Sequence, residues 1–395
     1  MPFWQLSLLL GLTQTAGYGT LYYAFGVLAP GMAAETGLSL ATIFGLFSLA
    51  MVGGSMITPR AGAAMDRIHP GLVMAFGSGL CAACLAAWSI VPGKAPFIIF
   101  LVATELASVL VLYEAAFIAA THLAGERHAR RVIAGITFVA GFASTVFWPL
   151  TQWLLTVTDW RGVQLAYAGL HLGLCLPVHA LLSRVALAPP GDGETALPDS
   201  QRPVPAKGLP PERARLVFVL MLAGFSATSF VVAAMHLHLI TLLGALGLGG
   251  SAALIGAWIG PAQVGARVVE FTLANRMSIH VPSIISAAAL PLAIMLLLAG
   301  APSLVWGIGF AIIFGVGQGL AFIVRGVLPL KAFGRAGYGA ITGKLNGVRL
   351  FATALAPFLI AIVIERAGAA EALALLTAAG LAGTAALLAV ARLMR

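Results

Sequence analysis

Charge is what this sequence most lacks. Only 9% of its 395 residues are Asp, Glu, Lys or Arg, whereas 60% are hydrophobic and the mean hydropathy is +1.01. A soluble domain carries about 25% charged residues. The composition therefore excludes a water-soluble globular protein and indicates a chain buried largely in lipid.

Cysteine is also scarce. The three cysteines, Cys81, Cys84 and Cys175, all lie in apolar runs. Cys81 and Cys84 have C-x-x-C spacing, but nothing near them in sequence completes a metal or redox site, so we predict that they pack in a core. The chain also lacks a phosphate-binding glycine loop and a nucleophile–base cluster. These absences argue against a membrane-embedded enzyme and predict no metal or other cofactor.

The N-terminus has no basic region and no cleavage site of the kind that a secretory signal carries, so we expect residues 3–29 to remain as a membrane span. Twelve apolar segments are long enough to cross about 30 Å of hydrocarbon. In the first half they fall near 6–29, 38–59, 71–91, 97–119, 132–155 and 162–183. In the second half they fall near 216–241, 251–274, 281–299, 303–326, 342–364 and 370–391. Segment 281–299 is the shortest, and Pro291 interrupts it.

A polar break separates the two sets of six. Residues 184–215 contain GDGETALPDSQRPVPAKGLPPER, whose prolines, glycines and charges cannot pack a core. We therefore predict an all-α membrane protein with twelve transmembrane helices. It has an N-terminal bundle over 1–183, a cytoplasmic linker over 184–215 and a C-terminal bundle over 216–395.

The positive charges predict the orientation. Fifteen of the 22 Lys and Arg residues fall in loops on one side of the predicted membrane, and three fall on the other. Cytoplasmic loops carry such an excess, which places both termini and the linker in the cytoplasm and the protein in the inner membrane. The same distribution explains the net charge of +9 without a nucleic-acid partner.

The two halves resemble each other around their fifth segments. Aligning 133–149 with 341–357 at a fixed offset gives four identities: Ile133 with Ile341, Gly135 with Gly343, Thr145 with Thr353, and Pro149 with Pro357. Parallel repeats of six helices place a binding site at the repeat interface near the middle of the bilayer.

One loop motif resembles a known family. The sequence GAAMDR, from Gly62 to Arg67, is similar to the G-x-x-x-D-R core of the signature loop of the major facilitator superfamily. The equivalent loop of the second half is reduced to Glu270 and the pair Asn275–Arg276. The resemblance implies secondary transport by alternating access, with Asp66 and Arg67 in gating ion pairs.

A narrower resemblance concerns the monocarboxylate and oxalate/formate-type carriers. The GYG of Gly17–Gly19 and the run RRVIAGITFVAG of Arg130–Gly141 are similar to their first helix and their entry to helix 5, although Ile136 and Phe138 replace small residues. The fifth segment lacks the G-P-x-x-G-G run of drug/proton antiporters. This resemblance implies a small organic anion, either a monocarboxylate or a dicarboxylate, as the substrate.

Ionisable residues inside the predicted spans point the same way. Apart from the histidines and Glu371, the second residue of the last segment, they are Glu105, Glu114, Arg267, Glu270, Arg325, Lys344 and Arg349. A mid-membrane Arg costs about 2.5–3.5 kcal/mol on insertion scales, so such residues usually serve a function. Among these residues the second half holds four bases against one acid, which favours a carboxylate or phosphate over a cationic drug.

Arg267 and Arg349 lie at similar depths. Each is seven residues from the cytoplasmic end of its segment, or about 10 Å into the hydrocarbon. Two guanidinium groups at one depth can hold one anion through paired hydrogen bonds. Oxalate/formate-type carriers use basic residues of helices 8 and 11, so the resemblance implies the same pair, with Gln263 where monocarboxylate carriers have Asp. Alternatively, Arg267 or Arg349 pairs with Glu270 in a structural network; Arg267 and Glu270 are three residues apart and can meet on one helix face.

The other charged residues are assigned to gating. We expect Lys344 and Glu270 to form a latch that opens during transport, and Arg325 to anchor or gate at the membrane boundary. Glu114 is expected to pair with Arg130 or Arg131.

The remaining candidates are polar groups near the middle of the membrane. Glu105 has no base near it in sequence, so it favours its neutral form and suits a proton carrier; a carboxyl hydrogen-bonded to neighbouring helices is equally compatible. Tyr22, His236 and Gln318 are predicted substrate contacts.

The sequence therefore predicts a secondary transporter, acting as a monomer, that moves a small organic anion and uses Glu105 for proton coupling. The alternative is a multidrug or metabolite efflux proton antiporter in which the buried cations form internal latches. A receptor without transport activity leaves the polar interior unexplained.

Overall fold

The computed structural model describes residues 1–188, 211–273, 278–333 and 338–394. Most of the predicted linker lies outside this part, as do Asn275 and Arg276. The described residues form helices and turns, with no strand among them. Their contacts divide into two compact units, Met1–Ser200 and Gln201–Arg395.

Each unit contains six helical segments within the described residues. In the first unit these are α1 (3–36), α2 (Leu40–Arg67), α3 (Pro70–Ile90), α4 (94–124), α5 (126–157) and α6 (160–182). In the second they are α7 (211–248), α8 (252–273), α9 (His280–Gly300), α10 (Leu304–Phe333), α11 (Tyr338–Arg366) and α12 (Ala369–Leu393). Every predicted apolar segment coincides with one of these helices.

Length and hydropathy alone identify ten stretches of the described chain as able to cross a membrane. One of them, Glu212–Glu270, contains both α7 and most of α8. The segment α1 is not among the ten; it consists of Phe3–Tyr18, a π-helical turn Gly19–Tyr23, and Ala24–Thr36. The all-helical membrane architecture predicted from the sequence is confirmed.

Local capping explains where several helices begin. The Ser39 hydroxyl accepts the Thr42 amide hydrogen at 3.1 Å before α2, and the Asp159 carboxylate accepts that of Gly162 at 2.9 Å before α6. Such side chains satisfy amide donors that a helix start leaves without partners. Gly125 separates α4 from α5 with φ of 72°, a left-handed conformation that favours glycine.

The segment interrupted by Pro291 is a continuous helix. Pro291 lies inside α9, and Gly380 of α12 packs against its ring. A side chain on Gly380 would approach the proline ring to 3.0 Å, so the glycine makes room for it. Prolines are tolerated in membrane helices where neighbouring helices compensate for the lost hydrogen bond.

The fourth segment differs from the continuous helix that its hydropathy predicts. The first helix of this segment, Lys94–Ser108, ends near the middle of α4, and a second helix begins at Tyr113. Gly77 of α3 leaves room for the Leu110 side chain at this point. A β-carbon added to Gly77 would lie 2.5 Å from the β-carbon of Leu110. The Gln14 amide of α1 donates to the Val111 carbonyl at 2.6 Å. Contacts from α1 and α3 thus stabilise the interruption.

Candidate functional site

Glycines bring α8 and α10 into close contact. A β-carbon on Gly319 would lie 2.4 Å from the Gln263 carbonyl oxygen, and one on Gly315 would lie 2.6 Å from that of Ile259. Only glycine permits backbones to approach so closely. The contact buries Gln263 and sets the face of α8 that carries Arg267 against α10.

Arg267 is buried in the second unit. Only 8% of its surface is exposed, and its guanidinium carbon lies 4.9 Å from the ring centroid of Phe322 on α10. An arginine stacked on an aromatic face gains about 0.5–2 kcal/mol, more when water is excluded. The contact with the ring also restricts the positions that the guanidinium group can take.

Arg325 belongs to the same region. Its Nε donates to the Ala321 carbonyl at 3.0 Å, and its Nη1 lies 3.4 Å from the Ser229 hydroxyl of α7. It lies within electrostatic range of both Arg349 and Arg267. The sequence predicts Arg325 at the membrane boundary; in the structure α10 continues to Phe333, and the Arg325 side chain contacts α7 through Ser229.

Arg349 completes the group from α11. Its Nε donates to the Asn346 side-chain oxygen, one turn earlier, at 3.3 Å, and the residue is half-exposed. We call Arg267, Arg325 and Arg349 the arginine cluster. The guanidinium group of Arg325 is repelled by those of Arg267 and Arg349, so a bound anion beside it relieves an unfavourable interaction.

A neutral polar pair lies on the same face of α10. His236 of α7 donates from Nε2 to Gln318 Oε1 at 2.9 Å, and its ring contacts Phe314 edge-on. Gln318 precedes Arg325 by seven residues, or two turns, so both project from one side of α10. His236 and Gln318, predicted separately as substrate contacts, are thus brought together. His238 instead donates to the Pro357 carbonyl at 2.8 Å.

Glu105 and Tyr22 are neighbours in the first unit. Glu105 is half-buried in the last turn before the interruption of α4, and its charge acts on the Tyr22 hydroxyl. Tyr22 lies in the π-helical turn of α1 and packs near Phe47, with 6.3 Å between ring centroids. A π-helical turn often marks a functional position in a helix.

Several predicted ion pairs are not formed in this conformation. Within the described side chains, Glu270 and Lys344 make no salt bridge, and neither do Glu114 and Arg131. Glu114 lies directly after the interruption of α4, where its charge acts on Tyr18. The side chain of Arg130 lies outside the described part.

The Asp of the signature loop has a partner that the sequence did not suggest. His122 of α4 donates from Nε2 to the Asp66 carboxylate at 3.1 Å. Arg67 is exposed in the last turn of α2, where a positive charge is favourable to the helix dipole.

Sequence analysis also missed Phe322 and Ser229. Phe322 of α10 contacts Arg267 of α8, so no spacing along one helix signals the contact. Ser229 likewise carries no signal in the sequence, because its proximity to Arg325 depends on how α7 packs against α10. The described residues contain no group of three potential metal ligands.

Comparisons with known proteins agree with this architecture. The family model described as Major Facilitator Superfamily matches residues 11–357. Comparison with curated protein sequences gives no significant match. Among solved structures, a bacterial homologue of the human lysosomal transporter Spinster, inward-facing and unoccupied, superposes with a TM-score of 0.66 at 13% identity. That match covers 100% of this chain and 96% of the other.

The nucleoside transporter NupG is similar in two structures. A mutant form gives a TM-score of 0.71 at 15% identity, covering 98% of this chain and 100% of the other. The second gives 0.69 at 16% identity, covering 99% of each chain. At these identities the likeness shows the fold alone. The family model, however, matches most of the sequence. The chain is therefore a transporter, not an enzyme, and it belongs to the major facilitator superfamily.

Proposed function

We propose that this protein is a secondary transporter of a small organic anion, which binds at the arginine cluster. The observation that carries the proposal is that Arg325 of α10 lies within electrostatic range of both Arg267 of α8 and Arg349 of α11. Like charges brought together in a medium of low polarity destabilise the protein, and a bound anion offsets this.

Carboxylates and phosphates fit the chemistry of the cluster. A guanidinium group presents parallel N–H donors that match the two oxygens of such a group. Arg267 is held on the Phe322 ring, so its donors are oriented before the anion arrives. A lipophilic cation gains nothing from this arrangement and is repelled by it.

Neutral donors and acceptors near the cluster suit the rest of the substrate. Gln263 precedes Arg267 by one turn of α8, and the His236–Gln318 pair lies two turns from Arg325 along α10. In the first unit, the Glu105 carboxyl lies within electrostatic range of the Tyr22 hydroxyl. We assign Glu105 to proton coupling on this basis.

The remaining assignments complete the working model. The protein lies in the inner membrane with both termini in the cytoplasm, as the distribution of Lys and Arg favours. It acts as a monomer by alternating access. Glu270 and Lys344 form a latch in a conformation other than this one, and Asp66, with Arg67 beside it, takes part in gating through His122.

Uptake by reconstituted vesicles tests the site. We expect Arg267→Ala and Arg349→Ala to raise the apparent KM for the anion by about 10- to 100-fold, because a hydrogen bond to a charged group contributes about 1.5–3 kcal/mol. Arg392→Ala, which removes an exposed arginine from the end of α12, is the matched control. An unchanged KM in both site variants rejects the assignment. Competition by lipophilic cations, with none by carboxylates, favours efflux.

A further inference from the structure

The interruption of α4 takes some main-chain carbonyl groups in the middle of the segment out of the α-helical hydrogen-bond pattern. Residues 109–112 leave the α-helical pattern, with the Leu110 and Val111 amides donating to Ala107 and Ser108 at 3.0 Å, three residues back. Fifteen helical residues precede the interruption and twelve follow it. Unwound backbone inside a membrane helix is tolerated where protein or a bound ion satisfies its carbonyl groups.

A buried amide oxygen lies at this interruption. Gln14 of α1 has none of its surface exposed, and its Nε2 donates to the Val111 carbonyl. That bond fixes the orientation of the amide, and its Oε1 has no hydrogen-bond partner in the protein. Leaving a buried acceptor unsatisfied costs about 1–3 kcal/mol, so such an atom calls for a ligand.

Two carboxyl groups flank the interruption. The end of helix Lys94–Ser108 and the start of the helix at Tyr113 contribute opposite partial charges of about half a unit, which cancel. Glu105 lies three residues before the end of the first helix, and Glu114 lies one residue after the start of the second. Neither carboxyl group forms an ion pair with a described side chain. A bound cation stabilises the ionised form of either group, whereas an anion would be repelled by it.

We propose that the interruption of α4 holds a sodium ion. Its ligands are the Gln14 amide oxygen, main-chain carbonyl oxygens of 105–112 and a flanking carboxylate. Oxygen ligands suit hard cations, and the absence of a His or Cys ligand group in the described residues argues against a transition metal. Unwound carbonyls and a helix C-terminus are also the groups that hold Na⁺ in other transporters with broken helices.

This sodium site is distinct from the anion site. It lies in the first unit and uses none of the arginine cluster, so it goes beyond the proposed function. Sodium binding there supplies a second coupling ion for transport of the anion, beside the proton assigned to Glu105.

Thermal unfolding of the purified full-length protein tests the sodium site. We compare NaCl with choline chloride and KCl at equal ionic strength, because ionic strength alone also changes stability. Saturating Na⁺ should raise the Tm by about 3 °C, since a ligand at 100 times its Kd stabilises by about 2.7 kcal/mol. The shift should disappear in Gln14→Leu.

Gln164→Leu is the matched control. Gln164 of α6 is also a buried amide whose Oε1 has no partner in the protein, but it lies in an unbroken stretch of helix. The sodium shift should persist in this variant. A wild-type protein without a Na⁺-specific shift, or a shift that survives in Gln14→Leu, overturns the proposal.

A direct measurement covers the case in which Gln14→Leu does not fold. Wild-type protein should bind one ²²Na⁺ ion per chain, and excess unlabelled Na⁺ but not choline should displace it. Absence of saturable binding overturns the proposal. Anion binding measured in choline chloride separates the two sites, because an intact anion response without sodium binding rejects the sodium site alone.

Discussion

Arg267 stacks on Phe322 across the interface of α8 and α10, with 4.9 Å between the guanidinium carbon and the ring centroid. Because Gly315 and Gly319 let the two helices approach, the aromatic face reaches beneath a cation that is otherwise buried. The ring therefore acts as a platform that orients the donors of Arg267.

Removing the platform should weaken anion binding without removing a charge. We expect Phe322→Leu to raise the Kd for the anion by about 2- to 30-fold, which corresponds to the 0.5–2 kcal/mol of a cation–π contact. Phe322→Tyr keeps the aromatic face and should bind as the wild type does. Titration of both variants by calorimetry measures this, and equal affinities in Phe322→Leu and wild type would contradict the role of the ring.

Adding a side chain where α8 and α10 meet through glycine should push the two backbones apart and disturb the site. The added methyl group of Gly319→Ala would collide with the Gln263 carbonyl, and overpacking typically costs about 1–3 kcal/mol. We expect a lower Tm and weaker anion binding. Gly265→Ala is the control, because a β-carbon on Gly265 of α8 meets no atom within 4 Å. Equal losses in both variants would argue against a specific contact.

We expect Arg325 to determine how strongly the protein prefers divalent over monovalent anions. With three guanidinium groups in electrostatic range, a divalent anion neutralises the cluster better than a monovalent one. Arg325→Gln should therefore weaken binding of a dicarboxylate by about 10-fold, the scale of one charge-assisted hydrogen bond, and change binding of a monocarboxylate less. Competition uptake with both classes measures the ratio. A parallel loss for both classes would indicate a structural role only.

The ion pair between Arg161 and Glu35 in the first unit should make stability depend on pH. Arg161 at the start of α6 donates to the Glu35 carboxylate at 2.9 Å and to the Trp88 and Ser89 carbonyls at the end of α3. Glu35 lies beyond the predicted first span, and the hydrogen bonds from Arg161 lower its pKa.

The pKa of a glutamate in the unfolded protein is about 4.3, and that of Glu35 in the folded protein is lower. The ionised carboxyl therefore stabilises the folded protein at pH values above about 4.3, and this stabilisation is lost as the pH falls through the pKa of the folded state. The Tm of the wild type should therefore fall more between about pH 6 and pH 3 than that of Glu35→Gln, which has no carboxyl to protonate there. Unfolding at several pH values measures the difference. Identical pH profiles would show that the ion pair between Arg161 and Glu35 contributes nothing to the stability of the folded protein.

Most of the fold could be predicted from the sequence, because a membrane imposes a strong constraint on it. Each span must be long and apolar, and the break at 184–215 separates two sets of six such spans. Even the segment with Pro291 forms a single helix. The interruption of α4 could not be predicted, because SVLVL at 108–112 contains neither proline nor glycine. It depends on contacts with Gln14 and Gly77 of other helices.

The candidate site was predicted in part. The sequence drew attention to Arg267 and Arg349 through their depth, and to His236 and Gln318 as separate polar groups. It could not show that Arg325 lies within electrostatic range of both arginines, or that His122 bonds to Asp66, because these relationships depend on which helices are neighbours. Hydropathy and spacing determine positions along one helix, whereas packing determines contacts between helices.

The most direct test of the anion site is a thermal-shift comparison of the purified protein with four classes of compound: carboxylates, phosphates, an uncharged nucleoside and a lipophilic cation. We predict that only the anions raise the Tm of the wild type, and that none of them does so in Arg267→Ala. Stabilisation by the nucleoside or the lipophilic cation, with no response to any anion, would contradict the account.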